Sequence, residues 1–415
     1  MVTKQMNDFL TRVGPGQPAG ELLRRYWHPV AVAKELTEEH PTKFVRVLGE
    51  NLVLFRDKGG RVGLLEDRCA HRGASLVYGR VEERGIACAY HGWLYDTHGN
   101  CLETPPEPAQ SKFRLTIKQK AYPVQKLVGL YWAYLGPEPA PLIPRYDTLF
   151  RKDGHRKIVV HPQLDCNWLQ AMENSVDPSH LQILHQEFAG RKGRKPESTT
   201  RGFTDDVEYF EFYTVPLGII KKRLYKNGML DEHPLIFPNI LRQGASTQIR
   251  VPIDDEHTMH IHVMFKATED GSQVEDEEDP PVEYKPPYKE PAQGLHPLAR
   301  YTLHHVIPQD HMAWETQGPV ADRTRERLAT ADKGVVMLRE MLKENIERVQ
   351  AGLDPLNGFT RDPDQPMINT NLDSGLEQTR ADRAPEVARG GIRPLAPLVA
   401  DPVPEPKDYP KGDAR

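Results

Sequence analysis

The chain has 415 residues, a formal net charge of -5 and 27% charged residues, a length that at roughly 150 residues per domain suits two or three domains, with two taken here. The acidic balance excludes the basic stripe that neutralises phosphates, and no apolar run approaches the roughly 18 residues that span a bilayer, so neither nucleic acid nor a membrane is an expected partner. The opening "MVTKQMNDFLTRVG" lacks the apolar stretch of a secretory signal, which points to the cytoplasm.

In chain order, "GELLRRYWHPVAVAKEL" begins as a short helical pattern and passes into extended chain. From "KFVRVLGENLVLFRDKGGRVGLLEDRC" through "GIACAYHGWLYDTHGNC", β-branched runs broken by glycine turns predict a small β domain, with the Pro-rich stretch from Gly136 to Pro144 as its exit. Residues 1–144 form this first unit. Residues 145–373 read as an α+β domain: "NWLQAMENSVD" is helical in pattern, "VEYFEFYTVPLGIIKKRLY" and "TMHIHVMFKAT" alternate as antiparallel strands, and a helix is expected from Thr324 to Gln350, stopping at Gly352. The acidic, Pro-rich segment 274–291 reads as a solvated loop, and the Pro-rich tail 374–415 as surface chain.

Four cysteines, Cys69, Cys88, Cys101 and Cys166, cannot staple a chain this long and are expected free or metal-bound. The β domain places Cys69-x-His71 and Cys88-x-x-His91 in two tight loops. A closed Cys2His2 zinc site and a Rieske [2Fe-2S] centre both fit that donor set. Zinc sites usually group like with like, so the alternation of Cys and His favours the cluster. Cys101, beyond the second loop, reads as a buried thiol.

A second pattern lies in "ENSVDPSHLQILHQEF", where His180 and His185 stand five residues apart. On an α-helix, which turns about 100° per residue, such a pair diverges by about 140°. The spacing alone therefore leaves a ligand pair and two packed histidines both open. His260 and His262 share one strand face, but with no third ligand nearby they read as packing or substrate lining.

These residues resemble the Rieske non-haem iron oxygenases. "CAHRGA" and "CAYHGW" match the family's C-x-H-R-G and C-x-x-H-G-W boxes, and "NWLQAMENSVDPSHLQILH" matches its N-W-x-x-x-x-E-N-x-x-D-x-x-H-x-x-x-x-H segment. Ala74 and Tyr90 stand where respiratory members carry two further cysteines, which places the chain with the oxygenase or ferredoxin type. The resemblance implies an all-β Rieske domain whose cluster is held by Cys69, His71, Cys88 and His91. It implies a catalytic α+β domain with a mononuclear iron held by His180, His185 and a distant carboxylate. "VIPQDHMAWETQG" suggests Asp310 for that carboxylate, leaving Glu315, Asp322 and Asp332 as structural or capping acids. Asn174 and Asp177 are implied as catalytic, with Asp177 bridging the cluster of one subunit to the iron of its neighbour.

The segments around "LLRRYWHPVAVAKEL" and "QDHMAWETQG" look most like the phthalate 4,5-dioxygenase branch, which includes dehydrodivanillate O-demethylases. That likeness implies O2 as co-substrate, an aromatic acid as substrate and electrons from a separate NADH-dependent iron-sulfur flavin reductase. It also implies a homo-oligomer built of trimers, and either ring dihydroxylation or O-demethylation. Arg250, Arg242 and Lys222 are the candidate cations for the substrate carboxylate. The rivals are a Rieske electron-transfer protein without a second iron and a structural zinc protein.

Overall fold

The structure is a computed structural model describing residues 2–185, 207–225, 230–274, 279–290, 300–357 and 361–371. Its β domain is made of short antiparallel strands separated by glycine turns. One sheet orders Thr42–Val47, Glu50–Arg56, Val62–Glu66 and Ala121–Tyr122, a second Arg80–Glu82, Gly85–Ala87, Leu94–Tyr95 and Cys101–Glu103, and a third Trp27–Val32, Leu130–Tyr134 and Val124–Leu127. Inward residues of the first two, among them Phe55, Leu65, Ile86 and Tyr95, gather around Cys69, Cys88 and Cys101 as a separate core.

The larger domain rests on an eight-stranded sheet. Its spatial order is Val207–Val215, Gly218–Tyr225, Leu230–Ile236, Ile240–Gln243, Ser246–Pro252, Thr258–Ala267, Gly154–Leu164 and Val282–Tyr284, antiparallel except at the last pair. Side chains alternate across a strand. Ile158, Val160, Ile249, Val251, Ile261 and Val263 accordingly enter the main core, and the intervening residues are left for the opposite face.

Three features differ from the sequence expectations. The helix expected from Thr324 begins only at Lys333. Before it, Asp322 and Asp332 accept the backbone N–H groups of Thr324 and Ala329, and such side-chain bonds favour short 3-10 turns over a continuous helix. The acidic segment 274–291 is not all solvated loop: Val282–Tyr284 adds a parallel edge strand and Lys289–Glu290 pairs with Arg300–Tyr301, while 275–278 and 291 lie outside the described residues. The tail 374–415 lies outside them too. Finally, the helices Lys4–Thr11 and Pro18–Leu23 precede the β domain in sequence but pack against the helices Lys333–Gln350 and Trp168–Val176 of the larger one.

One buried acid ties that helical layer together. Glu173 receives Arg323 at 2.7 and 2.9 Å and Arg339 at 2.7 Å. Burial alone would raise its carboxyl, but the two guanidiniums outweigh burial and hold it below the usual range. A depressed folded-state value stabilises the protein above the unfolded-state value, and that stability is lost as pH falls through the folded-state value. Glu173→Ala is expected to cost about 3–5 kcal/mol by leaving the buried Arg323 without a carboxylate, while Arg339 keeps its pair with Glu326 at 2.7 and 2.9 Å. Urea unfolding at neutral and acidic pH checks this, with the gap between variant and wild type closing on the acid side.

Candidate metal centres

The two Cys-His loops close in the same way although their histidines are spaced differently. Cys69 N–H donates to the Ala74 carbonyl at 2.9 Å and Gly73 N–H to the Cys69 carbonyl at 2.8 Å. In the second loop, Cys88 N–H donates to Trp93 and Gly92 N–H to Cys88, both at 2.9 Å. Gly73 and Gly92 adopt φ of 73° and 74°, the left-handed region in which a side chain is disfavoured. That turn brings the imidazoles of His71 and His91 to a centroid distance of 4.5 Å, with His71 stacked on Trp93 at 4.3 Å.

Cys69 and Cys88 are buried beneath them. Burial pushes the Cys69 thiol up, and the neighbouring Cys88 pushes it further, so two thiolates here require a cation. His91 Nδ1 is buried with no hydrogen-bond partner among the described residues. Adjacent thiols and an imidazole nitrogen left unbonded are what a metal-sulfur cluster needs, and the donor set fits it. Two supporting residues escaped the sequence reading. The Tyr95 hydroxyl lies 3.3 Å from Cys69 Sγ, and the buried Gln119 side chain bonds Ala70 N–H and the carbonyls of Glu66 and Arg68, each at 2.8 Å.

In the larger domain, Asn167 Oδ1 caps the helix Trp168–Val176 by accepting Leu169 N–H, and the helix ends at Asp177, where Asp177 N–H donates to the carbonyl of the half-buried Asn174. After Pro178 and Ser179 the chain re-enters helix at His180 and forms a π-helical turn over Leu181–His185. A π-turn bonds i to i+5, so residues five apart stack on one face where an α-helix would separate them. His180 Nε2 and His185 Nε2 thereby reach 3.6 and 3.5 Å from Asp310 Oδ1, which is carried by the helix Val306–Glu315. The three ligand atoms all lie within 4.8 Å of one another, and Asp310 Oδ1 is buried without a hydrogen-bond donor among the described residues. Two imidazoles and one carboxylate with an unsatisfied buried oxygen fit a divalent iron that keeps open positions.

Both tautomers are set by neighbours. His180 Nδ1 faces Asp177 Oδ2 at 3.2 Å, and His185 Nδ1 faces Gln309 Oε1 at 2.8 Å. With Nδ1 donating, each Nε2 is left as a lone-pair donor toward Asp310. Burial raises the Asp177 carboxyl, but bonds from His180 and Ser179 more than offset this and hold it at about 2. Gln309, immediately before Asp310, was also missed. Gln309→Leu is expected to weaken metal affinity roughly 10–100-fold, as losses of such outer partners do, which chelator competition would register.

The three candidate cations do not converge. Arg250 and Arg242 occupy opposite faces of the sheet, because Arg242 pairs in register with Thr247, one strand step from Gln248. Arg242 bonds Asp147, Thr370 and Gly244, and Lys222 bonds Glu211 on the adjacent strand. Arg250 alone stands by the triad. It is buried, lies 5.7 Å over the Trp314 ring and donates to Gln248, while burial lowers it to about 9 against the opposing pull of Asp310. Among the other acids, Glu315 accepts Asp165 N–H and Lys289, and Asp322 and Asp332 cap turns.

Paired Cys-His loops on a β domain, with a two-histidine, one-carboxylate set on a sheet-and-helix domain, define the oxygenase component of a Rieske non-haem iron oxygenase. The Rieske [2Fe-2S] domain family matches residues 26–123, and the LigXa C-terminal domain like family matches residues 297–371. The chain is similar to the 5,5'-dehydrodivanillate O-demethylase oxygenase subunit of Sphingobium, at 37% identity over 96% of this chain and 93% of that one. It is also similar to the phthalate 4,5-dioxygenase oxygenase subunit of Pseudomonas putida, at 32% identity over 85% and 88%. The terminal oxygenase of carbazole 1,9a-dioxygenase from Nocardioides aromaticivorans shares the fold, with a TM-score of 0.56, 18% identity, and 82% of this chain and 97% of that one covered. The chain belongs to the Rieske terminal oxygenase subunits. Among the described residues, no helix is long and apolar enough to cross a membrane.

Proposed function

We propose that the chain is the terminal oxygenase of a cytoplasmic multicomponent system that oxidises an aromatic acid with O2 and electrons drawn from NADH through a separate iron-sulfur flavin reductase. The observation that carries this is the convergence of His180, His185 and Asp310 around an unsatisfied buried oxygen, on the same chain as the Cys-His loops. Cys69, His71, Cys88 and His91 hold the [2Fe-2S] cluster, and His180, His185 and Asp310 hold the iron. Bound there, the cluster supplies single electrons and the iron supplies oxygen activation.

The protein's own groups do the positioning. Asp177 and Gln309 fix the two imidazoles, and Arg250 stays cationic at neutral pH and receives the substrate carboxylate. Asp177 further serves as the bridge to a neighbouring subunit's cluster in a trimer, with Asn174 beside it. The cluster edge suits such docking, since Tyr90 and Phe113 are exposed there against His91 and Trp93. The reaction is ring dihydroxylation or O-demethylation, the activities that its relatives' names give.

Iron and acid-labile sulfide analysis of purified protein tests the metals. Two irons with two sulfides would make it an electron-transfer protein, and zinc without sulfide a structural zinc protein. Turnover with a phthalate-type reductase, NADH and a panel of phthalates and methoxybenzoates, scored for formaldehyde against cis-dihydrodiol, tests the reaction.

A further inference from the structure

The sheet face next to Asp310 carries imidazoles that the metal centre does not use. Strand register puts them together: His161 is the cross-strand partner of His260, and His260 is the partner of Arg250, so the three form one row. His262 stands two residues on, on the same face, opposite Gln248. From the helix above, His311 Nε2 comes within 3.2 Å of His260 Nδ1, and its ring lies 4.7 Å from that of His161. Tyr288, from the acidic segment, packs on His161 and His311 with centroids at 5.5 and 5.7 Å.

This box is buried and incompletely bonded. His260 and His262 are 1% and 6% exposed, and the Nε2 atom of each is buried with no hydrogen-bond partner among the described residues. Buried polar atoms are normally bonded, so two orphans on adjacent side chains point to an occupant. A metal ion is not that occupant, because the set of described residues whose ligand atoms close to within 4.8 Å is the His180, His185 and Asp310 triad, not these rings. Burial pushes His260 and His262 well below the ordinary imidazole range and His161 to about 4, so the three imidazoles of the sheet are neutral.

A neutral imidazole offers one N–H donor and one lone pair. A carboxylate, which only accepts, would meet the lone pairs of such a set as well as its donors. A hydroxyl both donates and accepts, and satisfies either tautomer. We propose that His161, His260, His262 and His311 form a binding site for a phenolic hydroxyl, so that the substrate is a hydroxylated aromatic acid. This rests on the oxygenase reading above and narrows its substrate class.

The test is calorimetric binding to the purified oxygenase of paired probes that differ only at one oxygen: 4-hydroxy-3-methoxybenzoate against 3,4-dimethoxybenzoate, and 4-hydroxybenzoate against 4-methoxybenzoate. The phenol of each pair is expected to bind about tenfold tighter, the worth of one net hydrogen bond. In His262→Phe the phenol's affinity falls to that of its ether, and in His262→Gln, which keeps a donor and an acceptor at similar reach, part of the preference returns. The preference ratio separates recognition from a packing defect, which would weaken both probes alike. Equal affinities within each pair, absence of binding, or a preference that survives His262→Phe overturns the site. Iron and sulfide analysis of the same preparation separates the two failures: equal affinities with both metals present refute the box alone, whereas missing mononuclear iron refutes the oxygenase reading beneath it.

Discussion

Asp310→Ala is expected to strip one of three irons from each chain while leaving the visible absorption of the cluster and the sulfide content unchanged. Asp310 is the one carboxylate of the triad, with Oδ1 at 3.5 and 3.6 Å from the two Nε2 atoms. Without it, a divalent ion would keep two neutral ligands in a buried site beside the cationic Arg250. The attraction of the Asp310 carboxylate for the ion is lost and the repulsion from Arg250 remains, with Asp177 acting only through His180. Cys69, His71, Cys88 and His91 belong to the β domain and its separate core, so the cluster has no reason to respond. Turnover should fall by about a hundredfold or more, with metal analysis and the visible spectrum read on one sample.

Asp177→Asn should give the complementary result, with both metals retained and turnover reduced roughly 10–100-fold. The amide keeps the size of the carboxylate and can still accept Ser179 N–H, which the acid receives at 2.7 Å. It loses the negative charge that orients His180 through the 3.2 Å contact to Nδ1 and that, in the proposed assembly, links the iron to a neighbour's cluster. Because the wild-type carboxyl is held at about 2, it stays ionised throughout the neutral range. A wild-type activity profile should therefore show no acid limb from this group between pH 5 and 8. Loss of mononuclear iron in Asp177→Asn together with its retention in Asp310→Ala would exchange the roles of the two acids.

How far each site was legible depends on how local its determinants are. The Cys-His loops are contiguous in sequence, and each carries a glycine at the left-handed turn that points its side chains inward, so their chemistry could be read directly. The pair His180 and His185 was legible only through its resemblance to a known segment. Its spacing contradicts an α-helix, and the π-turn that resolves it is a rare local form that needs the tertiary fold to hold it. Gln309 and Tyr95 carry no motif of their own, and only contact distances reveal that one orients a ligand and the other reaches a sulfur.

Register explains the remaining misses. A shift of one residue moves a strand side chain to the other face. Whether Arg242 or Arg250 faced the triad was therefore undetermined until the pairing of Ser246–Pro252 with its neighbours was known. For the same reason His260 and His262 read as an isolated pair, although His161 and His311 complete them from a distant strand and a distant helix.

By itself, the amino-acid sequence determined the donor types of the Cys-His loops and the division into a β domain and an α+β domain, which follow from short runs and local periodicity, while its resemblance to a known family implied the donors of the second site. The tertiary structure decided which nitrogen of His180 and of His185 faces Asp310, which arginine stands by that triad, and that four imidazoles share one buried box. Those properties depend on burial and on pairs far apart along the chain, which no local pattern encodes.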